Sequence, residues 1–130
     1  LGVVMVTAGQ MLLGIGALHE VFALSVPQLR GTLTEMLSEG LFNTASSQAP
    51  ADVRWKRSFV VWFHLGGAFM LCGGWLAHRY EVDCRRPPPQ GFGMGLLALA
   101  GSLALVTPKS GAWLVMVPAL KIVLDGSRRK

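Results

Sequence analysis

Three ionisable side chains interrupt otherwise apolar stretches of this sequence: His19, Glu20 and His64. Imidazole and carboxylate groups can transfer protons, ligate iron or copper, or hydrogen-bond a small polar headgroup. Burying such groups among apolar residues is costly, so each of them needs a structural or functional reason. Which chemistry they can do depends on whether the surrounding helices bring them together.

Long apolar runs surround these residues and define the elements that must position them. Residues 1–18 contain no ionisable side chain, residues 58–77 contain only His64, and residues 91–108 contain none. Such runs approach the roughly 20 residues that a helix needs to cross about 30 Å of hydrocarbon. We therefore predict a single all-α membrane domain over residues 1–130, an integral four-helix bundle with spans at about 2–26, 58–78, 91–106 and 108–125.

Helix-ending signals separate the predicted spans. Pro27 should end the first span, because the residue before a proline is pushed out of the α region. Residues 79–90 carry several charges and three consecutive prolines, which predict a polar, extended loop. Thr107 followed by Pro108 is typical of an N-cap and a first helical residue, so the fourth span should begin there. The opening run has no basic segment and no clear cleavage site, and we interpret it as a retained helix rather than a signal peptide.

The segment over residues 28–44 has a different pattern. Its apolar residues follow helical spacing and its polar residues occupy the other face, which predicts an amphipathic helix between spans one and two. The segment is too polar to cross a membrane. It fits a helix lying at the membrane surface or a short helix packed on the bundle, and the sequence leaves both open. Asn43 is expected to cap or turn the end of this helix.

Glycines recur at helical spacing within the spans. A seven-residue repeat places small residues on one stripe of each of the first two spans, and the third span opens with a Gly-x-x-x-Gly pair. Stripes of this kind allow helix backbones to approach closely in a membrane. The glycines predicted to lie at helix contacts are Gly9, Gly16, Gly67, Gly74, Gly91 and Gly95.

The same pattern predicts that the ionisable residues meet. His19 and His64 each lie about six residues from the ends of spans one and two that share a loop, so both should lie roughly 9–10 Å deep on antiparallel helices. Three interpretations compete. The residues form a satisfied polar cluster that fixes helix register, they bind a haem iron, a quinone headgroup or a metal ion, or they never meet. We favour the structural cluster, because two glycine-lined helices pack too closely for a haem.

Charge and cysteine content limit the remaining functions. The net charge is +5, but the basic residues lie at the ends of apolar runs, where membrane anchors belong, so we exclude nucleic acid as a partner. Cys72 and Cys84 should lie at different depths, which argues against a disulfide between them. The distribution of basic residues favours termini on the cytoplasmic side of a bacterial inner membrane or an equivalent organelle membrane.

Several motifs resemble a known group of proteins. The order ALHEVFAL (17–24), EGLFNT (39–44) and GLLALAGSLALVTPKSGAWLVMVPAL (95–120) is similar to an uncharacterised bacterial family of small four-span membrane proteins, loosely like DoxX proteins. The resemblance implies four helices and a membrane location, and it supplies no catalytic residue. The charged stretch RYEVDCRRPPPQ (79–90) departs from that family and could contact a specific partner.

The sequence thus predicts a non-catalytic protein without a cofactor. We interpret it as an accessory or assembly subunit that contacts membrane lipids and other membrane protein subunits. The alternative is a small cofactor- or ligand-binding membrane protein that uses His19, Glu20 and His64.

Overall fold

The computed structural model describes residues 6–41, 44–45, 49–108 and 110–128. These residues form five helices and no strand, so the all-α prediction is confirmed for this part of the chain. The first span was predicted to begin near residue 2, but Val6 and Thr7 are not helical and the first described helix begins at Ala8, so this boundary was wrong. Asn43, the predicted cap of the amphipathic helix, lies outside the described residues. The helices are α1 (Ala8–Ser25), α2 (Pro27–Ser38), α3 (Ala51–Cys84), α4 (Gln90–Val106) and α5 (Ala112–Ser127).

Local sequence signals set both ends of α1. The Gln10 amide donates to Thr7 Oγ1 at 3.2 Å and the Thr7 amide donates to Gln10 Oε1 at 3.0 Å, which is the reciprocal capping box of a helix start. At the other end Val26 is extended, with φ −80° and ψ 113°, and Pro27 is the first residue of α2. The predicted helix end before Pro27 is therefore confirmed.

The third helix is longer than the span predicted at 58–78. It has 34 residues and includes residues 79–84, which the sequence assigned to a loop. Arg79 pairs with Asp83 at 3.0 Å with helical i,i+4 spacing, so these charged residues form a solvated helical turn. The helix ends where Arg85 takes a left-handed φ of 51°, just before the three prolines.

The predicted start of the fourth span at Thr107 and Pro108 is wrong. The Thr107 hydroxyl donates backward to the Leu103 carbonyl at 2.7 Å, and the Thr107 amide donates to the same carbonyl at 2.8 Å. Thr107 therefore closes α4 instead of capping the next helix, and α5 begins only at Ala112. A threonine hydroxyl can bond in either direction, and its identity alone does not select one.

The amphipathic helix also ends earlier than residue 44. Helix α2 stops at Ser38, after which Gly40 and Leu41 take positive φ values of 90° and 61°. Its buried face consists of Thr32 and Met36, whereas Leu37 is 54% exposed. The helix thus has one covered face and one open face that still carries apolar side chains.

The chain divides into two compact units. The middle unit is Gly16–Phe69, and the terminal unit combines Leu1–Ile15 with Met70–Lys130. In the terminal unit the start of α1 runs antiparallel to the end of α3, and α4 runs antiparallel to α5, as shown by Gly93 beside Ala119 and Gly126 beside Gln90. The buried apolar residues of this unit are mainly small, such as Ala8, Ala77, Ala100 and Ala119.

Two of the described helices, α1 and α3, are long and apolar enough to cross a membrane. Only 28% of the apolar window of α1 and 17% of that of α3 are buried, which differs from the core helices of a soluble domain. Helix α4 is apolar but shorter, at 17 residues.

Candidate functional site: the polar cluster of His19, Glu20 and His64

Within the middle unit, α1 and α3 run antiparallel and bring the three predicted residues into one polar cluster. Glu20 and His64 contact each other directly, and His19 contacts α3 at Phe63, the residue before His64. The register predicted from equal depth in two antiparallel helices therefore matches the observed contacts. The three residues are called the polar cluster below.

Glu20 and His64 form the shortest link of the polar cluster. His64 Nδ1 donates to Glu20 Oε2 at 2.6 Å, and the two side chains are 20% and 26% exposed for His64 and Glu20 respectively. A short, partly buried hydrogen bond to a carboxylate is stronger than one between neutral groups. The pair therefore holds α1 and α3 at one register.

His19 is fixed by two different interactions with Phe63. Its Nε2 atom lies 3.0 Å from the Phe63 carbonyl oxygen, which can only accept, so Nε2 carries the proton. Its ring stacks on the Phe63 ring, with centroids 4.1 Å apart and an interplanar angle of 19°. His19 is thus committed to packing and to a backbone acceptor.

Gly67 makes the polar cluster sterically possible. A Cβ atom at this position would overlap Glu20 Oε1 and would lie 2.8 Å from Glu20 Cδ and 3.0 Å from His19 Cδ2. Any larger residue would therefore displace the carboxylate. Gly16, also predicted to pack, is buried.

The other predicted packing glycines divide into two groups. Gly9 lies against the His78 backbone, and a Cβ atom on Gly74 would lie 2.7 Å from the Leu13 nitrogen, so both lie where α1 and α3 approach in the terminal unit. Gly91 and Gly95, in contrast, are exposed and face nothing within 4 Å among the described residues. The close approach of α4 to α5 occurs at Gly93, where a Cβ atom would lie 2.9 Å from the Ala119 carbonyl oxygen. The Gly-x-x-x-Gly spacing correctly indicated that α4 packs through a glycine, but it selected the face with Gly91 and Gly95 and not the face with Gly93.

Two atoms of the polar cluster are buried without a hydrogen-bond partner among the described residues. They are Glu20 Oε1 and His64 Nε2, one on each side of the hydrogen bond that joins these residues. An unsatisfied buried polar atom costs about 1–3 kcal/mol, so such atoms are usually satisfied by water or by a ligand. The polar cluster therefore retains one carboxylate oxygen and one imidazole nitrogen for a further contact.

The geometry restricts what this contact can be. No group of three or more His, Cys, Asp or Glu residues able to hold a metal ion occurs among the described residues. Ligation of a haem by both histidines would require His19 Nε2 to leave the Phe63 carbonyl and the ring to leave its stack. The arrangement suits a small hydrogen-bonding group better than a porphyrin.

Sequence reasoning missed several polar contacts that organise the helices. Glu81 accepts from the amides of Ala8 and Gly9, both at 3.1 Å, and so stabilises the start of α1 in the terminal unit. A carboxylate at a helix N-terminus is favourable because it satisfies free amides and opposes the positive end of the helix dipole. The spacing of Thr7 and Gln10 was a signal for the start of α1 that the sequence analysis did not use. No local pattern identifies Glu81 as the acceptor for the first amides of this helix.

A second polar link lies between the end of α2 and the start of α3 in the middle unit. Arg57 donates to both carboxylate oxygens of Glu39, at 2.7 and 2.5 Å, and to the Thr44 carbonyl at 2.9 Å. The hydrogen bonds from Arg57 lower the pKa of Glu39 below its ordinary value of 4.5, and the bond to Glu39 raises the pKa of Arg57. Cys72 and Cys84 are both free.

In the part of the chain that the structure describes, these features define a class of protein: an all-helical fold with two helices long and apolar enough to cross a membrane, and a polar cluster between apolar helices. The chain belongs to a family of unknown function, DUF6463, which it matches over residues 4–129. No functionally curated protein and no solved structure matches the chain.

Proposed function

We propose that this chain is an integral membrane protein with four spans, α1, α3, α4 and α5, and that it acts as a non-catalytic accessory or assembly subunit of a larger membrane complex. One observation carries the proposal. The apolar helices expose large apolar side chains, whereas His19, Glu20 and His64, the ionisable side chains inside the apolar stretches of α1 and α3, bond other groups of the chain. This distribution is the one that a hydrocarbon environment requires.

The exposed residues support a membrane environment. Trp62 and Phe69 of α3 are 69% and 68% exposed, and Leu105 of α4 is 87% exposed. A soluble monomer rarely leaves large contiguous apolar patches open, because water disfavours them. Lipid tails or the helices of a partner would cover these apolar faces.

The paired charges support the same conclusion. Glu20 and His64 bond each other, and Lys121 of α5 donates to Asp125 at 2.9 Å. Pairing reduces the penalty of placing a charge near hydrocarbon, and charged residues inside membrane helices are almost always paired. Helices α4 and α5 have 17 and 16 residues, at the lower limit for a span, and Lys121 lies close enough to the end of α5 to reach the headgroups.

The segment between α1 and α3 supplies the extramembrane surface. The Arg57 link to Glu39 and Thr44 fixes the end of α2 and its following turn on the start of α3. Leu37, Leu41 and Trp55 remain exposed beside these charged residues. An ordered surface with exposed apolar side chains suits a headgroup layer or the surface of a partner subunit.

The four-span topology can be tested by thiol labelling from each side of the membrane. Three variants each keep one reactive thiol: native Cys84 in a Cys72→Ser background, and Ser127→Cys or Ala45→Cys in a background lacking both native cysteines. A charged maleimide should label Cys84 and position 127 from one side and position 45 from the other. Labelling of positions 45 and 127 from the same side would refute four spans.

The accessory role predicts a discrete partner in the native membrane. A photo-crosslinking residue at exposed Trp62 should yield one protein adduct of defined mass, whereas the same residue at Val60, which is 1% exposed, should yield none. Lipid adducts alone at Trp62, together with purification of the chain as a solitary species, would contradict the accessory role.

A second candidate function is favoured by the two unpaired atoms of the polar cluster. Glu20 Oε1 and His64 Nε2 could hydrogen-bond a small ligand such as a quinone headgroup or, with rearrangement of His19, ligate a haem or metal ion. Protein isolated from its own membrane would then contain a haem, seen as a Soret absorption band, or a quinone or a stoichiometric metal ion. Glu20→Gln and His64→Gln would each remove this bound group. If the polar cluster has only a structural role, the wild-type protein contains no such group.

A further inference from the structure

An open groove of about 590 Å³ lies at one end of the terminal unit. Its walls come from the residues before α1, the last turn of α3 with the turn that follows it, and the last two turns of α5. These parts are all helix ends, so the groove lies where the apolar helices of this unit stop. In the four-span arrangement this level corresponds to the lipid headgroups.

Positive charge predominates in the groove. Four cations line it, Arg85, Arg86, Lys121 and Arg128, against two carboxylates. Both carboxylates are already engaged: Glu81 accepts from the amides at the start of α1, and Asp125 accepts from Lys121. Neither Arg86 nor Arg128 pairs with a carboxylate in the part of the chain that the structure describes. The groove therefore offers guanidinium groups to an anion.

The rest of the lining is apolar. Val6 and Val82 are 53% and 51% exposed, and Pro87 stands beside the arginines. A site for a free anion in water gains nothing from exposed valines. A ligand with a charged head and hydrocarbon chains would cover both kinds of surface at once.

We propose that this groove binds the phosphate headgroup of an anionic phospholipid, with Arg86 and Arg128 holding the phosphate and Val6 and Val82 contacting the start of the acyl chains. Guanidinium groups recognise phosphate through paired hydrogen bonds, and basic residues beside membrane helices attract anionic lipids. The inference rests on the proposed membrane location and adds a lipid class and a binding site to it.

The test compares lipids and matched charge removals in the purified full chain in detergent. Native mass spectrometry measures how much phosphatidylglycerol or phosphatidylcholine each form retains. The wild type should prefer phosphatidylglycerol, and the double variant Arg86→Gln/Arg128→Gln should lose roughly tenfold or more of that preference. The control, Arg30→Gln/Lys56→Gln, removes the same charge from exposed positions of the middle unit and should retain it.

Three results would overturn the site. One is equal retention of both lipids by the wild type, and another is an equal loss in both double variants, which would indicate a response to net charge alone. The third is displacement of phosphatidylglycerol by millimolar inorganic phosphate, which would indicate a site for a soluble anion. Carbonate extraction of native membranes separately tests the membrane location: release of the chain would refute the proposed function, whereas retention with no lipid preference would refute only this site.

Discussion

The contact between α1 and α3 in the middle unit is polar, whereas the contact between α4 and α5 in the terminal unit is built from glycine, alanine and isoleucine. In the first, Glu20 and His64 are joined at 2.6 Å and His19 bonds the Phe63 carbonyl. In the second, Gly93 lies against Ala119 and Ile122. Hydrogen bonds fix the register of α1 and α3, whereas close packing of side chains and backbone fixes the register of α4 and α5. The two contacts should therefore be destabilised by different kinds of substitution.

The largest effect is expected where shape alone sets the contact. Gly93→Leu would force a side chain against the Ala119 carbonyl oxygen, which belongs to the backbone and cannot move aside. We expect a loss of about 3 kcal/mol or more in detergent, the upper range for overpacking. Gly95→Leu, two residues along the same helix and facing open space, should change the unfolding free energy by less than about 0.5 kcal/mol. Similar losses in both variants would show that α4 and α5 do not pack through Gly93.

A smaller loss is expected for Gly67→Leu, because the obstacle there is a side chain. Glu20 can swing away, but it then loses the hydrogen bond from His64, so we expect a cost of about 1–3 kcal/mol. Thermal unfolding in detergent measures it. An unchanged midpoint would mean that the glycine does not face the carboxylate.

The polar contact can be tested by removing one hydrogen-bonding group. His64→Leu leaves the Glu20 carboxylate without its donor and should cost about 1–3 kcal/mol. His64→Gln supplies an amide donor and should recover most of the loss. For comparison, Ile122→Val removes one methylene group from the contact between α4 and α5 and should lower the free energy of unfolding by about 0.5–1.5 kcal/mol. Equal losses in the leucine and glutamine variants of His64 would show that volume, and not hydrogen bonding, matters in the polar cluster.

The smallest effect concerns the link between Glu39 and Arg57, in which the Glu39 side chain is 49% exposed and that of Arg57 is 12% exposed. The pKa of Glu39 is lower in the folded chain than its ordinary value of 4.5. The ionised Glu39 side chain therefore contributes its full stabilisation above pH 4.5 and loses it as the pH falls through the pKa of the folded state. The difference in unfolding temperature between the wild type and Glu39→Gln should therefore shrink on acidification below pH 4.5. A difference that is constant, or that grows in acid, would contradict the pairing with Arg57.

The sequence contained enough information for the polar cluster but not for its detailed contacts. The sequence predicted that His19, Glu20 and His64 lie at one depth. This prediction needed only the fixed rise per residue of a helix and the antiparallel arrangement of two consecutive helices. That His64 pairs with Glu20 while His19 turns to a backbone carbonyl depends on rotamers, which periodicity does not determine. The two unpaired atoms could not have been foreseen for the same reason.

Helix ends were predicted well only where backbone chemistry fixes them. Proline ended α1 as expected, because Pro27 restricts the residue before it. The helix start predicted at Thr107 was wrong because its hydroxyl can bond the backbone on either side. The loop predicted at residues 79–84 was wrong because charged residues indicate exposure to solvent and not the absence of a helix. The face of α4 that packs, at Gly93 and not at Gly91 or Gly95, depends on the helix that opposes it.

The cap on α1 has a consequence for biosynthesis. Glu81, which accepts from the amides of Ala8 and Gly9, stands 73 residues after the first of them. A ribosome delivers the first helix long before that carboxylate, so the amides of Ala8 and Gly9 lack this acceptor until most of α3 has been synthesised. The N-terminal segment can therefore reach its final register only late in translation.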